Sequence, residues 1–279
     1  MVESPHITNL FHRITFFDEH EHHRNNIMSS LGTFIHACHE VLTHSTSAAA
    51  ARSYLIEQRG LKESTWRTFK VGYCDASIDI PDLTQPDAEI CATPYRYERN
   101  IRNKVIVPIC DEYGIAVGFA TRSPRDDGTT WWNTPFEKSK TLFALNRAKK
   151  SIFEQNKVRL VEGYMDVMVP FQEGITNIVS PMGTNLSLRQ IALLARYCEN
   201  VCICFDVDKN NAGQNAQSKS IMVLNNLHLF DDLSIIKGIP EGVDPDRFVL
   251  SHGVTKFLDG EYVLTQSDIK KISQGEPIQ

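Results

Sequence analysis

No stretch of the 279-residue chain approaches the roughly 18 uninterrupted apolar residues of a membrane-spanning helix, so no span is expected. The opening Met1-Val2-Glu3-Ser4-Pro5-His6 has no basic start followed by an apolar run and does not read as a secretory signal. There are seven cysteines, but no two stand at C-x-x-C spacing, so no zinc-ribbon signature exists. A chain this long does not depend on disulfides, and Cys202 and Cys204 alternate within an apolar run as small buried residues do. A reducing cytoplasm is the expected compartment. Missing too is any Gly-x-x-x-x-Gly-Lys-[Ser/Thr] loop, which argues against an ATPase of that type. Neither an internal repeat nor a low-complexity tract is present.

A global surplus of positive charge is also lacking, since the net charge is −5. The local distribution is more informative. Between Arg96 and Lys150 there are eleven Lys/Arg against six Asp/Glu, whereas Val158 to Leu250 has seven against eleven. A basic half suits a polyanion and an acidic half suits divalent cations.

Hydrophobic spacing predicts one amphipathic helix around Leu31, Phe34, Ile35, Cys38, Val41 and Leu42, a second from Ser45 or Thr46 to Gln58, and a third from Glu63 to Phe69. Residues 75–94, with three prolines, read as loop. Lys104–Ile109 and Ile115–Ala120 around Asp111-Glu112-Tyr113-Gly114 predict a hairpin. Residues 123–135 read as loop, and a helix is expected over 146–154. Beyond residue 157 strands (158–161, 175–179, 201–205, 233–236) alternate with helices (165–173, 187–197, 213–224), the pattern of a parallel sheet flanked by helices.

Ligands of open parallel sheets bind beyond the carboxyl ends of the strands. Glu162 directly follows the first of these strands, and Asp206 and Asp208 follow the third, two residues apart and therefore on one side of an extended chain. Asp244 and Asp246 come after the last strand, separated by Pro245, which is expected to stiffen a turn. Asp166 lies one helical turn beyond Glu162. So many carboxylates on one sheet edge repel one another unless a cation offsets them. Oxygen ligands without His or Cys suit Mg²⁺ or Mn²⁺ rather than zinc, and such ions usually serve phosphoryl transfer. Any one of these acids taken alone also reads as a helix cap or turn former.

Val161-Glu162-Gly163-Tyr164-Met165-Asp166-Val167, Met182-Gly183-Thr184, Phe205-Asp206-Val207-Asp208 and Asp244-Pro245-Asp246 together resemble the Toprim domain, and more closely its version in bacterial DnaG-type DNA primases. Tyr54-Leu55 with Arg59-Gly60-Leu61, then Phe69-Lys70-Val71-Gly72-Tyr73, resemble the opening of the primase RNA-polymerase core. Ile101 to Ile109 with Gly118 to Arg122 resemble its basic strand pair, and Trp132-Asn133-Thr134-Pro135 and Leu142 to Ala148 continue the series. The resemblance implies an α/β chain: an N-terminal helical segment (1–45), a basic α+β subdomain (46–150), a Toprim α/β domain with a mainly parallel sheet (151–258) and a C-terminal tail (259–279).

It further implies Glu162, Asp206 and Asp208 as central metal ligands and catalytic residues, with Asp166, Asp244 and Asp246 as added ligands or their support. Arg102, Lys104 and Arg122 would line a groove for template and nucleotide phosphates. Asn133, Lys138 and Lys140 would contact nucleotide, and Gly183-Thr184 would let a phosphate approach backbone amides. Independently of the resemblance, Trp131 and Trp132 are candidates to stack on single-stranded bases, but neighbours in extended chain face opposite ways, so at least one of them is expected in the core. The implied activity is metal-dependent synthesis of short RNA primers on single-stranded DNA from ribonucleoside triphosphates, with a replicative helicase or a separate zinc-binding protein as a further partner.

The chain departs from that family in several places. His36, Cys38 and His39 are too tightly spaced on one helix for a zinc site. Two extra residues stand between Asp208 and Ala212-Gly213, Gln214 replaces an arginine, and Thr130 replaces a lysine. A Toprim strand-cutting enzyme, or a primase-derived module that binds DNA or a helicase without chemistry, therefore stays open at this stage.

Overall fold

The structure, a computed structural model, describes residues 30–80, 94–125, 130–207 and 212–276. Its first half is a four-stranded antiparallel sheet in the order β1-β2-β3-β4: β1 Gly72–Cys74, β2 Lys104–Cys110, β3 Ala116–Arg122 and β4 Trp132–Asn133. The hairpin forms where expected. Asp111 Oδ1 accepts the Tyr113 and Ile115 amides at 3.0 and 2.9 Å, a side-chain-closed turn, and Gly114 supplies a φ of +89°. Pro108 is tolerated inside β2 because β1 pairs only with residues 104–106, so at Pro108 no ladder bond is needed on that side.

Helix α1 (Ser30–His44) covers this sheet with the predicted apolar stripe, burying Phe34, Ile35, Cys38 and Leu42. Cys38 faces the core beside Cys74, and His39 Nδ1–H donates to the Val71 carbonyl at 2.7 Å, so both are packed as helix residues. The second predicted helix is a 3-10 turn (Thr46–Ala48), a short α-helix α2 (Ala49–Ser53) and a π-turn (Tyr54–Gln58), followed by α3 (Glu63–Thr68). Two elements lie in segments read as irregular or left unassigned: α4 (Pro94–Ile101) and β4.

Helix α5 (Leu145–Gln155) leads into a five-stranded sheet of order β6-β5-β7-β8-β9, built from β5 Lys157–Val161, β6 Ile178–Val179, β7 Asn200–Cys204, β8 Asp232–Ile236 and β9 Glu261–Val263. The first four strands are parallel, joined by α6 (Tyr164–Gln172), α7 (Leu188–Ala195) and α8 (Ala212–Leu227). Burial on both sheet faces explains the continuous apolar run in β7, Val201 to Cys204.

Two expectations are corrected here. Pro245 does not stiffen a turn: it is the first residue of a helix, α9 (Pro245–Asp259), with Asp244 at the N-cap, a position where the missing amide costs nothing. Residues 259–279 are not a bare tail. β9 pairs antiparallel with β8, and α10 (Gln266–Ser273) packs against α8. Leu264, Ile269 and Ile272 are buried in the apolar core, and an ion cluster ties down β9. Glu261 receives Lys157 at 2.6 Å and Arg159 at 2.8 Å, and Arg159 also donates to Asn177 Oδ1 at 2.8 Å. Because Arg159 is 8% exposed, Glu261→Ala leaves a buried guanidinium without its counter-charge and is expected to lower the unfolding free energy by about 3 kcal/mol in urea melts.

One apolar cluster spans both halves, joining Leu55, Leu61, Trp66 and Phe69 to Val167, Met168, Phe248 and Val249, while a second fills the other face of the parallel sheet. Among the described residues no helix is long and apolar enough to cross a membrane.

Candidate active site

Parallel pairing of β5 with β7 sets Val161 opposite Cys204, which brings Glu162 and Asp206 side by side at the strand ends. The Asp206 amide donates to Glu162 Oε1 at 3.0 Å. Asp206 Oδ1 is buried and has no hydrogen-bond partner among the described residues. Its carboxyl is pushed up to about 8 by burial first and then by the charges of Asp166, Glu162, Asp244 and Asp246.

Gly213, in the first turn of α8, seals this pair from one side. A Cβ there would collide with the Asp206 carbonyl oxygen and stand 2.8 Å from Glu162 Oε1. Only a glycine lets the helix start come so close. Gly213→Ala is therefore expected to push α8 away, lowering the melting temperature and weakening Mn²⁺ binding by about tenfold, as measured by titration.

The remaining acids divide into two kinds. Both Asp166 oxygens accept backbone amides, Oδ2 from Gly163 at 3.0 Å and Oδ1 from Asp246 at 3.2 Å, so it braces the turn after Glu162 and the start of α9. Burial and the neighbouring Asp246 push its carboxyl up to about 7. Asp246 is fully buried and takes Arg59 Nη2 on Oδ2 at 2.8 Å, while Oδ1 has no partner among the described residues. Asp244 stands exposed at the N-cap of α9. Asp208, and with it the lengthened loop, lies outside the described residues. Among those described, no three His, Cys, Asp or Glu side chains are placed to hold one metal ion. The donor chemistry still suits a hard cation: oxygen only, with crowded charge and two buried carboxylate oxygens lacking partners.

Facing this edge is a basic strap. Helix α7 fixes it through Gln190 Nε2, which donates to the Lys138 and Thr141 carbonyls at 3.0 and 2.7 Å, and through Ser187, which donates to the Ser139 carbonyl at 2.6 Å. Lys138 Nζ then sits 3.1 Å from the point where a Cβ on Gly183 would project, so the glycine leaves room for the ammonium. Gly183 has a φ of +146° and belongs to the loop beyond β6, at the same sheet end as Glu162. Ser180 anchors this loop, its hydroxyl donating to the Glu162 carbonyl at 2.5 Å and receiving the Met182 amide at 2.7 Å. Thr184 lines a cavity of 420 Å³ with Asn185, Asn215 and Lys219.

A second line runs from the antiparallel sheet. Asn133 Oδ1 accepts the Tyr164 hydroxyl at 2.6 Å, two residues beyond Glu162. The Trp131 ring lies 5.0 Å from that of Tyr164, and the Arg122 guanidinium lies 5.9 Å from the Trp131 ring. Trp132 points the other way and packs on Tyr97. Lys104 opens β2 opposite Cys74 and is partly exposed.

Two residues expected at phosphate already have partners within the fold. Arg102 is used up inside the fold: Nη1 donates to the Asp75 and Ile78 carbonyls at 2.6 and 2.7 Å, and Nε and Nη2 face Glu98. Lys140 pairs with Glu137 at 2.7 Å on the exposed side of the strap. Conversely, sequence reasoning gave no role to Arg59 or Gly213. Both stand inside quoted family motifs, which was the available signal.

Both halves of the chain match known families. A model described as "DNA primase catalytic core, N-terminal domain" matches residues 38–149, and one described as "Toprim-like" matches 159–249. A DNA primase of Enterococcus faecalis is 32% identical over 241 residues, covering 78% of this chain and 38% of that protein. The chain thus spans under two fifths of the curated relatives it matches. The Escherichia coli primase catalytic core superposes with a TM-score of 0.70 at 25% identity, covering 88% of this chain and 82% of that one. A DnaG primase catalytic domain bound to single-stranded DNA gives 0.67 at 27% identity, covering 82% and 78%. A primase-core N-terminal domain joined to a Toprim domain, with the acidic sheet edge under the basic strap, makes this chain a member of the DnaG-type primase family.

Proposed function

We propose that the chain is a primase catalytic core that synthesises short RNA primers on single-stranded DNA from ribonucleoside triphosphates. The observation that supports this best is the pairing of Asp206, buried beside Glu162 with a partnerless oxygen, with Lys138 held over Gly183 at the same sheet end. Relatives named DNA primase, and a similar catalytic domain captured on single-stranded DNA, support the same substrate.

Glu162, Asp206 and Asp208 would hold Mg²⁺ or Mn²⁺, with Asp244 at the rim and Asp166 and Asp246 behind them. Bound there, the ions lower the cost of ionising a primer 3′-hydroxyl and offset the triphosphate's charge. The protein's own part is placement. Glu162 fixes the Asp206 backbone, Asp166 fixes the turn that carries Glu162, and Lys138 meets the phosphates of the nucleotide whose α-phosphorus is attacked as pyrophosphate leaves. Arg122 and Lys104 carry template phosphates, and Trp131, tilted against the Tyr164 ring with the Arg122 guanidinium over its own ring, borders the path of the bases. The compartment is the cytoplasm, and a helicase or a separate zinc-binding protein is the expected companion in priming.

Primer synthesis on single-stranded DNA with labelled ribonucleotides and Mn²⁺ tests this reading. Lys138→Ala is expected to raise the KM for ribonucleotide about tenfold or more, as loss of a charged phosphate contact does, with melting unchanged. An unchanged KM contradicts the role given to Lys138, and absence of product from the wild type contradicts the activity.

A further inference from the structure

The acidic edge crowds several carboxylates together, and one pair has a resident counter-charge from the other half of the chain. Arg59 Nη2 lies 2.8 Å from Asp246 Oδ2, across 187 residues of sequence, with the Asp246 side chain fully buried and that of Arg59 18% exposed. The Asp246 amide donates to Asp166 Oδ1, and Asp166 Oδ2 accepts the Gly163 amide next to Glu162. Three hydrogen bonds and one peptide bond therefore join Arg59 to Glu162, the residue that follows β5.

The backbone around Arg59 is seated independently of that ion pair. The Arg59 amide closes the π-turn on the Tyr54 carbonyl at 3.0 Å. Gly60, at φ +68°, lies beneath Leu250 of α9, where a Cβ would come within 2.7 Å of a methyl carbon. Gln172 of α6 donates to the Gly60 carbonyl and accepts the Lys62 amide, both at 2.9 Å, and Leu61 is buried in the shared core. Apolar and backbone contacts thus already dock residues 60–62 on the Toprim helices. A buried ion pair adds little net stability over an apolar pair. What the guanidinium adds is a fixed charge and a fixed direction.

We propose that Arg59 is a positioning residue: it holds Asp246, and through it Asp166, as a compensated pair, leaving the Glu162–Asp206 side of the edge for bound ions. The second clause rests on the ion-holding role proposed above. Without Arg59, Asp166 and Asp246 become an uncompensated pair able to draw in a cation of their own, and the turn carrying Glu162 loses its brace.

The test uses the full chain as wild type, Arg59→Lys, Arg59→Gln and Arg59→Gln/Asp246→Asn. Mn²⁺ uptake is followed by the paramagnetic resonance of the free ion, alongside kcat and ribonucleotide KM. Arg59→Gln is expected to bind one more equivalent of Mn²⁺ than wild type and to lose about tenfold or more in kcat with KM little changed, as misplacement of reacting groups does. Adding Asp246→Asn returns the stoichiometry to the wild-type value but not the kcat. Arg59→Lys, with charge but no fork, restores the stoichiometry and only part of the kcat. If Arg59→Gln alone fails to fold, the double variant, neutral at both positions, decides: low kcat with wild-type Mn²⁺ uptake supports the proposal, and wild-type kcat overturns it. Folded Arg59→Gln with wild-type stoichiometry and kcat overturns it too. Absence of Mn²⁺ uptake by the wild type overturns the ion-holding reading itself, and the charge-compensation clause with it.

Discussion

Glu162→Gln is expected to reduce primer synthesis by at least about a hundredfold while leaving the melting temperature within a few degrees of wild type. The substitution keeps the shape of the side chain and a carbonyl oxygen able to accept the Asp206 amide, now 3.0 Å from Glu162 Oε1. What disappears is one negative charge beside an already protonation-prone aspartate. Loss of a preorganised electrostatic contact at a reacting centre costs about 3–4 kcal/mol, or 10²–10³ in rate, and loss of a ligand to the ions that offset the triphosphate acts on the same step. Because the charge is removed from a crowded acidic edge, folding without ions is expected to become slightly easier. Primer synthesis, circular dichroism melts and Mn²⁺ titration on the same preparation check all three. A variant with wild-type synthesis removes Glu162 from the chemistry.

The second large effect concerns pH and divalent ions together. Asp206 is pushed up to about 8 and Asp166 up to about 7, chiefly by burial and next by the neighbouring carboxylates, from an ordinary value of 3.8. An acid whose value is raised on folding binds more protons folded than unfolded between roughly pH 4 and pH 8. Its contribution to stability is therefore full at low pH, declines as pH rises through that window and levels off above about pH 8. In the presence of a chelator, the melting temperature of the wild type minus that of Asp206→Asn is expected to fall by several degrees from pH 6 to pH 8.5. Saturating Mg²⁺ or Mn²⁺ offsets the charge, so the ion-induced gain in melting temperature should be larger at pH 8.5 than at pH 6. A difference that stays flat with pH means that the Asp206 carboxyl is not held in the environment described.

Much of this arrangement was legible before any coordinates. The alternation of apolar strands and helices after residue 157 placed Glu162 and Asp206 on one edge of one sheet, because parallel pairing leaves little choice of where a strand's last side chains go; that their two strands are direct neighbours is seen only in the fold. The hairpin around Asp111 was legible for a local reason, an aspartate and a glycine at the positions such a turn requires. What was missed depends on contacts that local spacing does not encode. Whether Arg102 meets phosphate or the carbonyls of Asp75 and Ile78 is decided by how a distant loop folds back. The pairing of Arg59 with Asp246 across the chain is of the same kind. Strand β9 is three residues long and carries Glu261, so its claim on the sheet comes from Lys157 and Arg159 rather than from hydrophobic pattern. Helix α9 was the avoidable miss, since Asp244-Pro245 is an N-cap followed by a first-turn proline.

Template direction is the most direct test of a primase core. The wild-type chain, a single-stranded DNA of known sequence, four labelled ribonucleoside triphosphates and Mn²⁺ should yield short RNA whose sequence complements the template, and none when the DNA is left out. RNA unrelated to the template, or shortening of labelled DNA with no ribonucleotide present, contradicts a primase core and assigns the acidic edge to another chemistry.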